Sequence, residues 1–209
     1  AIANDWMHKN PFAGIRFQEK EVIREVLTKE EIERMMCKEF ALPRLEYVRD
    51  VFIFCVFTGM AYVDVNNLRQ EHIVRDNNDD LWIRKARQKT NNMCNIPLLK
   101  IPQLLMEKYK NHPLCTKTGA LLPVPSNQKM NSYLKEIADF CGIQKNLTTH
   151  TARHTFATVV ALANGVSMEN IAKMLGHSDI RMTQRYAKVM DSSIMRDMEN
   201  VDKLFKSSE

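Results

Sequence analysis

Between His150 and Tyr186 the chain carries, in order, H-T-A-R-H-T-F, L-G-H-S and R-Y. This sets His150, Arg153, His177 and Tyr186 in one ordered series. Such side chains can bind a phosphodiester, move protons around it and attack it with no metal and no cofactor. A phosphodiester resists cleavage because its negative charge repels nucleophiles and its leaving alkoxide is basic. Without a metal, the non-bridging oxygens must be neutralised and the leaving oxygen protonated by side chains. Arg153 offers a bidentate, permanently charged clamp. His150 and His177 can donate hydrogen bonds to phosphoryl oxygens, and His150 can also accept the nucleophile's proton. Tyr186, with a reference pKa of about 10, needs a base or a neighbouring cation before it attacks readily.

The local sequence predicts how these groups are held. Thr149 is the expected N-cap of a helix that places His150 and Arg153 on one face of its first turn. The exposed N–H groups there favour an anion. His154 is expected to face the core or to bond backbone. Ser167 caps M-E-N-I-A-K-M-L, Gly176 supplies a left-handed C-cap, and Ser178 is expected to open the next helix, so that His177 sits in a tight corner. Tyr186 follows on that last helix. Each element alone is ordinary: a capped surface helix, a loop histidine, a half-buried tyrosine. Only the ordered combination is informative.

Upstream, T-K-E-E from Thr28 reads as a capping box opening a helix to about Phe40. Leu45 to Thr58 reads as a buried helix stopped by Gly59, with a short helix over Tyr62–Leu68. His72–Val74, Leu81–Ile83 and Met93–Leu98 have strand character and are separated by turn-rich D-N-N-D-D and Asn91-Asn92. Helices resume over Pro102–Lys110 and Asn127–Cys141, with a proline-containing loop between them. The expected class is α+β, mainly helical, with a small three-stranded antiparallel sheet.

Length and composition agree with one sizeable core. The 209 residues are 44% hydrophobic and 26% charged, with a formal charge of +5. A nucleic-acid partner is compatible with that charge, which by itself is weak evidence. No apolar run approaches the ~18 residues of a membrane helix, so no membrane role is expected. The five dispersed cysteines lack a C-x-x-C pair and suit a reducing cytosol. The chain starts at Ala1, and it is expected to be a piece of something longer.

These motifs resemble the C-terminal signature of the tyrosine recombinase, or phage integrase, family. F-T-G-M-A-Y-V-D-V-N-N-L resembles that family's T-G-x-R-x-x-E/D block, and its wording is most similar to integrases of Bacteroides-type mobile elements. R-K-A-R-Q-K-T-N-N-M-C-N-I-P-L resembles the hairpin that carries the family's catalytic lysine. N-P-F followed by L-T-K-E-E resembles its interdomain linker. The resemblance implies the tyrosine-recombinase catalytic fold over residues 21–209, with residues 1–20 a linker and the end of a missing N-terminal core-binding domain. It also implies a C-terminal tail helix over 191–209, which folds back on its own domain or docks on a neighbouring protomer. The implied activity is site-specific cleavage and rejoining of DNA through a 3′-phosphotyrosyl intermediate at Tyr186. Lys89 is then the general acid, with Lys85 its competitor, and Asp64 a buttress behind the site.

The implied partners are double-stranded DNA, a tetramer on DNA that is a monomer when free, and accessory DNA-bending proteins. The implied location is the bacterial cytoplasm, at the nucleoid. Arg84, Arg87, Lys129, Arg181 and Arg185 are candidate DNA contacts, with Lys135 and Lys145 in the same groove, and most would touch phosphates rather than bases.

One departure stands out. Ala61 occupies the place of the family's first arginine. Losing such a group removes several kcal/mol of transition-state stabilisation, roughly. Arg49 is the first candidate to replace it, followed by Arg69 and Arg84. The alternatives are a DNA-binding module of the same fold that has lost catalysis and a topoisomerase IB-like enzyme.

Overall fold

The computed structural model describes residues 25–187. The linker expected over 1–20 and the tail helix expected over 191–209 lie outside the described residues.

Helix α1 (Lys29–Cys37) starts where the capping box places it: Thr28 Oγ1 accepts from the Glu31 amide, and Glu31 Oε2 accepts from the Thr28 amide. It ends at Cys37 rather than Phe40, because Arg49 Nη1 takes up the carbonyls of Met35, Met36 and Lys38 at 3.0, 3.1 and 2.8 Å. Those carbonyls would otherwise need further helix or solvent. Helix α2 (Pro43–Thr58) has apolar residues on all sides, as a central helix must. It packs against α1 and the later helices α4, α6 and α7. Gly59 ends it at φ 66°. A Cβ there would lie 2.4 Å from Phe156 Cδ1, so only glycine fits.

Helix α3 (Tyr62–Asn66) is shorter than expected and leads through a single turn at Gln70–His72 into the sheet. Strands β1 (Ile73–Arg75), β2 (Leu81–Ala86) and β3 (Met93–Pro97) pair antiparallel in that order. Register Ile83↔Ile96 buries both isoleucines, while the neighbouring pair Arg84↔Asn95 faces outward. Helix α4 (Lys100–Tyr109) follows. The segment expected as loop then forms α5 (Pro113–Thr118), which begins with proline at its first turn and stops at Gly119, φ 69°. Helix α6 (Asn127–Phe140) is capped by Ser126 and packs on α2.

The last third builds the site. Helix α7 (Thr149–Thr155) is capped by Thr148, one residue earlier than expected, because Thr148 Oγ1 reaches the Thr151 amide and Thr151 returns the bond. Its axis continues as a wider π turn over Phe156–Ala161 and a tight turn over Leu162–Asn164. Helix α8 (Met168–Leu175) ends at Gly176. Ser178 does not open the next helix; a turn intervenes, and α9 (Arg181–Ala187) starts at Arg181. Besides the main core around α2, a second small cluster joins Phe156, Ala157, Ala161, Ile171, Leu175 and Tyr186.

Candidate active site

Arg153 stands between the two clusters, 7% exposed. Its Nη1 donates to the Gly59 carbonyl and its Nη2 to the Leu175 carbonyl, each at 2.6 Å. The guanidinium therefore joins the C-terminal ends of α2 and α8, where the helix dipoles are negative. Burial, and then the nearby charge of Arg87, pulls its pKa below the usual guanidinium value.

His177 lies against it, with Nε2 3.3 Å from Arg153 Nη2 and Nδ1 2.8 Å from Thr183 Oγ1. Burial, with the charges of Arg153 and Arg87, lowers the pKa of His177 to about 4. The imidazole is neutral at pH 7. Because Arg153 can only donate, Nε2 is the acceptor, and the bonding network assigns the proton to Nδ1, which donates to Thr183. The sequence expectation that His177 donates to a phosphate thus needs a second step. An arriving anion raises the histidine's proton affinity, after which Nε2 can donate.

Tyr186, 8% exposed, lies on α9 with its ring nearly parallel to that of His177, at 6.3 Å and 9°. The ring of His154 meets it edge-on at 5.2 Å. His154 thus packs on the candidate nucleophile, a contact the sequence reading missed. Thr183 was missed too, although it shares the face of α9 that bears Tyr186 and is buried.

The β2–β3 hairpin closes another side. Asp64, 4% exposed, accepts the Gln88 amide at 2.9 Å and faces Arg87 Nε at 3.9 Å. Asn92 Nδ2 donates to the Gly176 carbonyl at 3.3 Å, which ties the hairpin to the corner before His177. A Cβ on Gly176 would meet Cys94 Sγ at 2.7 Å and Arg87 Cδ at 2.8 Å. The residue expected merely to touch DNA, Arg87, is packed into the site.

Other expected residues fall elsewhere or at the rim. His150 is exposed in the first turn of α7. Lys89 is exposed in the hairpin turn, and none of the described residues pairs with it. Its competitor Lys85 is engaged with His72, Nζ to Nε2 3.2 Å. Arg49 is not in the site: besides the three α1 carbonyls, it forms a close ion pair with Asp50. Arg69 donates to the carbonyls of Asn66 and Leu68 and is likewise committed to backbone. Arg84, Lys129, Lys135 and Arg185 are exposed. Arg181 is exposed and paired with Asp179 at 2.6 Å. Lys145 is held by Glu31 and the Val26 carbonyl. Among the described residues no group of three or more His, Cys, Asp or Glu could hold a metal ion, and no helix is long and apolar enough to cross a membrane.

A mainly helical domain with a three-stranded sheet, and a tyrosine stacked beside an arginine–histidine pair, define the class. The phage integrase family profile matches residues 25–193, and the chain belongs to that family. Tyrosine recombinase XerD of Staphylococcus saprophyticus is 40% identical over 95 residues, covering 46% of this chain and 31% of that protein. The chain thus matches less than a third of this relative's length. Among solved structures, XerA recombinase is similar with a TM-score of 0.63 at 23% identity, covering 88% of this chain and 66% of that one. The integrase of transposon Tn1549, solved with transposon right end DNA, is similar with a TM-score of 0.64 at 17% identity, covering 97% and 74%. At these identities the likeness speaks for the fold.

Proposed function

We propose that this chain breaks and rejoins DNA strands by phosphoryl transfer to Tyr186, as part of a site-specific recombinase or integrase. The observation that carries this is the stack of Tyr186 on a neutral His177, which is itself bonded to the buried Arg153. A nucleophile and an anion clamp are assembled by one chain.

In the forward step the phenolic oxygen attacks phosphorus and its proton passes to His150. The bond to the 5′ oxygen breaks, Lys89 protonates that oxygen, and a 3′-phosphotyrosyl link remains. Reversal by an incoming 5′ hydroxyl restores the phosphodiester, so no external energy source is consumed. Arg153 neutralises the non-bridging oxygens throughout. The exposed Arg84, Lys129 and Arg185 contact backbone phosphates, which makes binding strongly salt-dependent. The partner is duplex DNA. The working assembly is a tetramer of chains that are monomers when free, aided by DNA-bending proteins at the nucleoid. The fold likeness to a transposon integrase and the T-G-M-A-Y block support a mobile-element role.

A nicked suicide duplex tests this. The chain should form a protein–DNA adduct that survives SDS, and Tyr186→Phe should abolish it. Ala61 favours a second reading, a DNA-binding module without cleavage; binding with no adduct would support it. Relaxation of supercoils without sequence preference would instead indicate a topoisomerase-like enzyme.

A further inference from the structure

Among the described residues the site has one carboxylate, Asp64, near the buried Arg153 and the largely buried Arg87. Arg153 has carbonyl partners for both its terminal nitrogens. Arg87 does not have that satisfaction. Its side chain is 11% exposed, and its Nε is buried without a hydrogen-bond partner among the described residues. The nearest carboxylate oxygen is 3.9 Å away, too far for a hydrogen bond. The other oxygen of Asp64 is already taken by the Gln88 amide. A buried cation left so loosely compensated is costly, and more so beside a second cation. One added negative charge between Arg87 and Arg153 would relieve both costs.

The position of Ala61 gives the arrangement meaning. Ala61 caps α3, and its carbonyl accepts the Asp64 amide at 3.0 Å. A cation at that position would start one helical turn before Asp64. Arg87 approaches the Asp64 carboxylate from the hairpin. Its path is kept open by Gly176, whose missing Cβ would otherwise strike Arg87 Cδ. The hairpin is fixed there by Asn92 on the Gly176 carbonyl.

We infer that Arg87 is the second phosphate-binding arginine of this site, supplying from the hairpin the charge that Ala61 cannot. The inference rests on the strand-cleavage reading above. Its chemical consequence is that Arg87 contacts a non-bridging oxygen of the scissile phosphate together with Arg153. The hairpin then delivers two cations, Arg87 to the non-bridging oxygen and Lys89 to the leaving oxygen. Arg87 also lowers the pKa of both Arg153 and His177, in keeping with a site built to receive an anion.

The test uses the 209-residue chain and nicked duplexes with a randomised stretch beside the nick, recovered as SDS-resistant adducts and sequenced. With the selected sequence, Arg87→Ala should slow adduct formation about 100- to 1,000-fold, while Arg49→Ala should not slow it per folded molecule. Replacing one non-bridging oxygen of the scissile phosphate by methyl removes the charge that Arg87 is inferred to neutralise. That neutral substrate should restore most of the lost rate to Arg87→Ala, which also shows the variant is folded. Near-normal cleavage of the ordinary phosphate by Arg87→Ala overturns the inference. So does a defect that the neutral substrate fails to rescue, which marks a structural role only. A wild-type chain that captures no duplex overturns the cleavage reading itself, an outcome distinct from the other two.

Discussion

The molecule buries two clusters around arginine, and they differ in how their charges close. In the first, Arg49 and Lys108 face Asp50 and Glu46. Arg49 fills three helix-end carbonyls, and the second oxygen of Asp50 accepts from Lys108 and from the Tyr109 hydroxyl, both at 2.7 Å. Positive and negative charges balance, and no side-chain donor of this cluster is buried without a partner among the described residues. In the second, Arg87 and Arg153 face a single carboxylate and a neutral histidine, and one nitrogen has no partner among the described residues. Burial is nearly equal, 8% exposure for Arg49 against 7% for Arg153. Depth is the same, and the difference lies in pairing: the cluster proposed to bind phosphate leaves Arg87 short of partners.

The contrast can be broken by experiment, starting with the largest effect. Arg153→Ala should reduce adduct formation by at least about 100-fold, measured by single-turnover capture on a suicide duplex. Arg49→Ala should leave capture per folded molecule intact and lower unfolding stability by about 3 kcal/mol, because it strands one oxygen of a buried carboxylate and three carbonyls; urea denaturation checks this. A loss of cleavage without loss of stability would erase the distinction.

Gly59→Ala disturbs the second cluster through its packing and through Arg153. The new Cβ collides with Phe156 and Leu175 on a left-handed backbone, and the Gly59 carbonyl is a partner of Arg153. A destabilisation of about 2 kcal/mol is expected, together with slower cleavage in the fraction that folds.

A pH series sharpens the second cluster alone. The folded pKa of His177, about 4, is depressed below its usual 6.5. As pH falls below 6.5 the unfolded chain takes up the proton first, so stability is complete above 6.5 and declines progressively towards pH 4. His177→Gln should flatten that part of the profile in thermal melts. The smallest effect belongs to Lys108→Met. That lysine is 42% exposed, and its removal should cost under about 1 kcal/mol, less still at high salt.

Where local chemistry decides, the sequence was legible. Thr28 with Glu31, and Gly59 after an apolar run, mark their helix ends because a cap or a left-handed turn depends on adjacent residues alone. Arg153, His177 and Tyr186 meet in space for a similar reason: the helices that carry them are consecutive in the chain. The one-residue error at Thr148 came from two adjacent threonines competing for one cap. Helix α5 was missed because proline, read as marking a loop, here opens the helix, which Gly119 then closes. The placing of Arg49 at a helix end and of Arg87 beside Asp64 was not legible, for a different reason. Whether an arginine points at a helix end or at a phosphate depends on which distant backbone meets it, and neither spacing nor composition carries that.

The bond between His177 and Thr183 has a consequence for how subunits would share the work. Thr183 is one helical turn before Tyr186, so this bond sets the rotation of α9 about its axis and seats Tyr186 on its own chain's histidine. On the proposed cleavage reaction, each chain would then use its own tyrosine. In mixtures of wild-type and Tyr186→Phe chains, the yield of cut strands should follow the first power of the wild-type fraction. A nucleophile lent by a neighbour would make it depend on the composition of pairs, and the curve would bend.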